Sequence, residues 1–334
     1  MKDVYILGIE SSCDETSASV VKNGTTEIAT VILSQIDIHT LYGGVVPEIA
    51  SRNHVKDITF VIEKCLKDAN LSIDQIDGIA VTYGPGLIGS LLVGLEAAKT
   101  LSYTLNKPLI GVHHIAGHIY ANNIERRLEF PLMALVISGG HTELIYMEDH
   151  FSFKKIGGTL DDAVGECFDK VARVMELGYP GGVKVDHLSK EGKVTYHLPI
   201  PLNDDSYNFS FSGLKSAVIN LIHNEKQKGN TINKEDLCAS FQDVVVKSLT
   251  TKTLKAMADF NVSNLILAGG VAANSGIREG FDALSKEKGF SFSYPSIKYC
   301  TDNATMIAAA GYFLYKNKEF APLELNAESN EVLK

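Results

Sequence analysis

A strand–turn–strand pattern occurs twice in this chain, and it limits the fold more than any other feature. Residues 4–9 (VYILGI) read as a buried strand, SSCDETS as a tight polar turn, and ASVVKNG as a second strand. Near residue 132 the pattern restarts. LMALVISGG reads as a strand with a glycine turn, and HTELIYM as another strand. Helical segments follow each copy. The chain has 334 residues, too many for one ordinary core and suited to two α/β lobes. The reading is therefore a duplicated α/β fold, cut at 1–131 and 132–334, with a phosphate-facing turn from each lobe across a cleft.

Periodicity places the other elements. Residues 55–69 form an amphipathic helix, DGIAVTY a strand, GPGLIGS a turn, and LLVGLEAAKTLSYTL a helix that Pro108 ends. HHIAGHIYANNIERRL reads as one helix and residues 235–260 as another. NLILAGGVAANSGIREGF is a strand, a Gly-Gly turn and a helix. A small-residue helix over 303–316 starts beside Asp302, and the polar last dozen residues are expected to fray.

Composition excludes several classes. Apolar residues make up 45% and charged residues 21%, which rules out global disorder. The net charge of −9 argues against a general nucleic-acid binder, so RNA contact would need a local basic patch or a partner. The first apolar run is only six residues long before Glu10, too short for a secretory signal, and no membrane span is expected. Five widely spaced cysteines without a CxxC read as buried thiols of a cytoplasmic protein, Cys13 included.

His114 and His118 lie four apart, on one face of a helix, which suits two metal ligands as well as two ordinary helix histidines. His113 and His141 lie in similar stretches and read equally as orienting or packing residues. Asp302 ends a strand-like run where a helix starts, so it reads either as a helix cap or as a metal carboxylate. The Gly-Gly turns at 139–140, 181–182 and 269–270, with Asp14 in another turn, are candidates for nucleotide contact. There is no GxxxxGK[ST], no GxGxxG after the first strand, and no HExxH.

Assembled in order, these motifs resemble the TsaD family of tRNA N6-adenosine threonylcarbamoyltransferases, in the actin-like ATPase, sugar kinase and Hsp70 superfamily. The resemblance runs from GIESSCDETS at 8 through GGVVPEIASRNH, YGPGLIGSLLVG, HHIAGH, LVISGGHTEL, DDAVGECFDKVARVMELGYPGG, FSFSGLKSA and LAGGVAANSGIR to YCTDNATM at 299. It departs at Ile115-Ala116, where the family often has Met-Glu. The resemblance implies two actin-like lobes with mixed sheets flanked by helices and a nucleotide cleft between them. It implies that His114, His118 and Asp302 ligate one divalent ion, Fe2+ or Zn2+. Val136, Ile137, Ser138, Gly139, Gly140, Asp169, Gly182, Asp186 and Asn274 would line the adenylate site. Asp14 would lie near the reacting phosphate and is the candidate general base.

The implied reaction moves threonylcarbamoyl from threonylcarbamoyl-adenylate to N6 of adenosine 37 in tRNAs reading ANN codons, releasing AMP. The implied partners are tRNA, a TsaB-like actin-fold subunit and a TsaE-like P-loop ATPase, with a weak homodimer as a further expectation. The alternatives are a metal-dependent peptidase, a kinase or ATPase of the sugar-kinase type, and a non-catalytic scaffold. Ile115 stands where a peptidase of the HExxH type needs its glutamate, and a scaffold would lack the three ligands.

Overall fold

A computed structural model describes residues 2–333. The chain forms two compact units, 1–128 together with 295–334, and 129–294. The first unit opens with strands β1 (Tyr5–Glu10), β2 (Glu15–Lys22) and β3 (Thr26–Ser34). Helices α1 (Ile36–Thr40) and α2 (Pro47–Asp68) follow, then β4 (Gly78–Gly84), α3 (Ile88–Leu105), β5 (Leu109–His113) and α4 (His114–Ala121). The sheet order is β3-β2-β1-β4-β5, with an antiparallel meander over β1 to β3 and parallel pairing of β1, β4 and β5.

The second unit repeats this plan. It contains β6 (Leu132–Ile137), β7 (Thr142–Met147), β8 (Phe153–Gly158), α5 (Val164–Val174), α6 (Gly181–Ser189) and α7 (Ser212–Gln227). It continues with α8 (Lys234–Asp259), β9 (Asn264–Ala268), α9 (Ser275–Lys288) and β10 (Ser291–Ser293). Its sheet runs β10-β9-β6-β7-β8, again an antiparallel meander joined to parallel strands. The two mixed sheets bear out the expected fold class. Each meander has a third strand, β3 or β8, that the pattern of two left unread.

The single cut at 131/132 needs a correction, because the chain returns to the first unit at Pro295. Helix α10 (Ala304–Asn317) makes the return, packing on β1, β4 and α4. The reason is close backbone approach. A Cβ on Gly8 would lie 2.3 Å from the Ala304 carbonyl oxygen, and one on Gly311 would lie 2.5 Å from Ala80 Cβ. Gly117 of α4 meets Ile307 in the same way, at 2.7 Å. Small residues on both sides of the seam let α10 sit against the sheet, and this carries Asp302 to α4. Helices α2 and α3 cover the other side, where Leu7, Ile9, Val20, Val61, Leu91 and Leu95 are buried in one core.

The segment up to Ser329 does not fray as expected. Ala321 N donates to Leu109 O and Glu328 N to Tyr83 O, each at 2.8 Å, and Gly86 N donates to Ser329 O at 3.3 Å. The backbone's own donors and acceptors, rather than side-chain hydrophobicity, tie this segment along the ends of β4 and β5. All five cysteines are free, and all but the half-buried Cys13 are buried. Among the described residues no helix is long and apolar enough to cross a membrane.

Candidate metal centre

The step from β5 into α4 sets the first two donors. His113 closes the strand, and its ring Nδ1 accepts from Ile115 N at 3.2 Å, capping the new helix. The helix is eight residues long, half the length read from the sequence, and a 3-10 turn over Asn122–Ile124 follows it. One helical turn separates the His114 and His118 rings, whose centroids are 4.6 Å apart with planes at 82°.

Asp302 supplies the third donor. Its Oδ1 lies 3.5 Å from His114 Nε2 and 3.2 Å from His118 Nε2. One donor atom from each residue fits within a 4.8 Å cluster. The cap of α10 is made instead by Asn303, whose side chain accepts from Met306 N at 2.9 Å. The neighbouring residue thus does the capping, and the Asp302 carboxylate faces the histidines. His118 is 1% exposed, and neither of its ring nitrogens makes a hydrogen bond. A buried imidazole without a hydrogen bond is costly unless something else engages it. Two imidazoles and one carboxylate suit a borderline divalent ion with coordination positions left over.

Glu10, which sequence reasoning passed over as the end of an apolar strand, stands behind His114. It is fully buried. Its Oε1 accepts from Ser12 N and its Oε2 from Thr82 Oγ1, both at 2.5 Å. His114 Nδ1 lies 3.4 Å from Oε2 and 3.2 Å from Ser12 Oγ. Burial pulls the His114 pKa down, but Asp302 and Glu10 outweigh it and push it up to about 9. Burial pushes Glu10 up, and the His114 and Ser12 hydrogen bonds carry it below the usual carboxylate range. The only legible signal for Glu10 was a charged residue closing a buried strand.

The turn between β1 and β2 brings Cys13, Asp14 and Glu15 into the field of Asp302. Burial first, and then Asp302 and Asp14, push the Glu15 carboxyl up to about 9, so it is protonated near neutral pH. It hydrogen-bonds Asp14 and accepts from Ser34 Oγ at 3.0 Å. Burial raises the Cys13 thiol far above its ordinary value, which fits the structural role read for it. His54 of α2 braces this turn, with Nε2 2.9 Å from Cys13 O and Nδ1 2.7 Å from Thr16 Oγ1.

The remaining candidates all lie in the second unit. Val136 and Ile137 are fully buried in β6, so their side chains are core. Ser138, Gly139 and Gly140 form the turn after that strand, and Ser138 O accepts from Gly165 N at 3.2 Å. His141 belongs to the same turn, its N donating to Ser138 Oγ at 3.0 Å, and it takes no part in the three-donor cluster. A Cβ on Gly139 or Gly140 would meet nothing within 4 Å. Glycine there answers no need of the chain itself and leaves room for a ligand to approach the backbone.

The two second-unit aspartates, each on another helix, accept backbone N–H groups at helix starts. Asp169 Oδ1 accepts from Gly181 N at 2.7 Å, and the Gly182 backbone also bonds it, at the start of α6. Burial holds its carboxyl above the usual range despite those bonds. Asp186 accepts from Ser275 N at 3.1 Å, Ser275 Oγ at 2.9 Å and Gln242 Nε2 at 3.1 Å. Asn274 caps α9 through Ile277 N and donates to Gln242 Oε1, each at 2.9 Å. Gln242 was not read from the sequence, where it sits inside an ordinary helical pattern.

The family profile described as "TsaD: tRNA N6-adenosine threonylcarbamoyltransferase" matches residues 26–309. A tRNA N6-adenosine threonylcarbamoyltransferase of Staphylococcus aureus (strain Newman) is 56% identical over 330 residues, covering 98% of this chain and 97% of that one. Among solved structures, full-length HypF in its phosphate- and nucleotide-bound form is 16% identical with a TM-score of 0.63, over 95% of this chain and 47% of that one. Component A of (R)-2-hydroxyglutaryl-CoA dehydratase from Acidaminococcus fermentans is 15% identical with a TM-score of 0.55, over 93% of this chain and 98% of that one. Those two likenesses concern fold alone. On the profile and the 56% identity, the chain belongs to the TsaD family of tRNA N6-adenosine threonylcarbamoyltransferases.

Proposed function

We propose that this chain moves threonylcarbamoyl from threonylcarbamoyl-adenylate to N6 of adenosine 37 in tRNAs reading ANN codons, with His114, His118 and Asp302 holding one Fe2+ or Zn2+ ion. Transfer to N6 of a tRNA adenosine is the reaction of its family. The proposal adds the donor, the ion and the residues. The observation that carries it is His118, buried with both ring nitrogens outside any hydrogen bond and Nε2 3.2 Å from Asp302.

In the reaction the N6 amine attacks the carbamoyl carbon. A C–N bond forms, the C–O bond to phosphate breaks, and AMP leaves with the electron pair. The donor is already activated, so the protein mainly orients two groups and stabilises charge. When bound, the ion supplies positive charge for the carbamoyl and phosphate oxygens. The backbone N–H groups of Ser138, Gly139 and Gly140 hold the adenylate. Asp169, Gly182, Asp186 and Asn274 shape the helix starts around it, and the buried Val136 and Ile137 support that turn from below. Asp14 is the candidate to take the amine proton, with Glu15 beside it already protonated.

The chain's charge of −9 disfavours strong tRNA binding by itself. A TsaB-like subunit and a TsaE-like ATPase in the cytoplasm complete the reading, with tRNA held more tightly by the assembly. Reconstitution with these partners, unmodified tRNA and threonylcarbamoyl-adenylate, made in the assay from threonine, bicarbonate and ATP by a separate adenylate-forming enzyme, tests it. The wild type should yield threonylcarbamoyladenosine and carry one ion per chain. His118→Ala should lose both the product and the ion. No product from the wild type would sink the reaction; a His118→Ala protein with its full ion content would sink the ligand set.

A further inference from the structure

We propose that Glu10 is a positioning residue for the metal centre, holding the Nδ1 proton of His114 so that Nε2 is the nitrogen presented to the ion. The inference rests on the reading of His114, His118 and Asp302 as ligands.

Glu10 is fully buried at the end of β1, and its carboxylate is anchored at both oxygens. The Ser12 backbone N–H can only donate, and it occupies Oε1. Thr82 Oγ1 donates to Oε2 from the neighbouring strand β4. Two groups face His114 Nδ1, Ser12 Oγ at 3.2 Å and Glu10 Oε2 at 3.4 Å; the hydroxyl can donate or accept, whereas the carboxylate, with both oxygens accepting, can only accept. The matching form of the ring carries its proton on Nδ1. The far nitrogen, Nε2, is then the one that would give its lone pair to a bound ion, on the side where Asp302 Oδ1 lies 3.5 Å away.

His118 differs in a telling way. It sits on the same helix and faces the same Asp302 oxygen, yet no carboxylate stands behind it and its Nδ1 makes no hydrogen bond. Of the two rings, His114 alone has a carboxylate within reach of its Nδ1 among the described residues, the outer half of a carboxylate–histidine–metal arrangement. Such an outer carboxylate fixes ring orientation and raises the basicity of the ligating nitrogen. Its loss weakens metal affinity by about 10- to 100-fold in comparable sites. Two neighbouring strands, β1 and β4, place it, so the metal helix is registered directly to the centre of the first sheet.

The test measures zinc affinity of the full chain by competition with a chromogenic chelator, and reads the His114 tautomer by nitrogen-15 NMR in the zinc-loaded protein. Wild type should hold zinc through Nε2 with the proton on Nδ1. Glu10→Gln keeps the shape but loses an acceptor. It should bind zinc about 10- to 100-fold more weakly, with a mixed His114 tautomer. Glu10→Asp keeps the charge but draws it back from the ring, and gives the same reading should the glutamine variant fail to fold. Wild-type affinity in whichever of the two variants folds overturns the proposal, as does zinc on Nδ1 in the wild type. A wild type that binds no zinc would instead refute the ligand set, an outcome that His118→Ala reports separately.

Discussion

The two units share one sheet order, yet they use their carboxylates in opposite ways. In the first, Asn303 caps α10, so the adjacent Asp302 can face two histidines. In the second, Asp169 and Asp186 reach across from neighbouring helices to accept backbone N–H groups at the starts of α6 and α9, the latter beside the Asn274 cap. A carboxylate that holds backbone N–H groups is part of the fold first and part of a site only through what it positions. One that is relieved of capping by its neighbour can serve as a ligand. The duplicated plan therefore yields one unit with a donor cluster and one with organised helix starts.

The sharpest way to break this contrast is Asp186→Ala. It removes three bonds at α9, from Ser275 N, Ser275 Oγ and Gly276 N, and leaves the Gln242 amide without that acceptor. The expected cost is about 1–3 kcal/mol, from the lost bonds at the helix start and the stranded partners. Urea unfolding of the full chain, with and without added zinc, would report it as a lowered midpoint in both conditions. A variant that kept wild-type stability and lost only activity would make Asp186 a ligand contact, and the contrast would disappear.

Acid should also separate the units. Burial lowers the His54 pKa, so the ring is neutral in the fold. Its contribution is complete above the ordinary value of 6.5 and is lost as pH falls below it, since the unfolded ring gains a proton first. Each unit of depression is worth about 1.4 kcal/mol. In the second unit burial raises Asp161, but Ser210, Ser212 and two backbone N–H groups carry it below 3.8. Its contribution survives to about that pH and is lost only as pH falls further. Glu15, protonated in the fold, works the other way as pH falls, so the His54 loss is read as a difference: below about pH 6.5 the wild type should lose stability relative to His54→Gln, and the two should share the later phase. Equal slopes for the two proteins just below pH 6.5 would remove His54 from the account.

Some of this was legible in the sequence and some was not, for physical reasons. The repeat was readable because the nearly continuous buried runs of β1, β2 and β6, broken by polar or glycine turns, leave their mark on residue order. His114 and His118 were readable as a pair at helical spacing, but Asp302 and Asn303 are both good caps, and only the folded chain shows which one caps. The return of α10 was hidden because a small-residue helix can pack on either sheet; the matching glycines, Gly8 and Gly117, lie far away in the chain. The tied-down tail was hidden because its anchors are backbone groups, which every residue carries. Glu10 was hidden because nothing in a strand's pattern tells a buried anchored carboxylate from an exposed terminal one.

The smallest expected effect on stability is also the most pointed test of the second unit. Gly269 and Gly139 both sit in glycine turns, but for different reasons. Gly269 has φ +90, and a Cβ there would lie 2.4 Å from the Ile137 carbonyl oxygen, so alanine should cost more than about 1 kcal/mol. Gly139 lacks a left-handed φ, and its Cβ would meet open space. Gly139→Ala should therefore leave unfolding unchanged within about 0.5 kcal/mol. If the turn holds the adenylate through its backbone, that one methyl group stands where the ligand must come close, and AMP affinity measured by calorimetry should fall. Intact stability with weakened AMP binding would mark a glycine kept for a ligand, the counterpart in this unit of the unhydrogen-bonded His118 in the other. Unchanged AMP binding would remove the turn from the site, because no other feature of the chain requires glycine at that position.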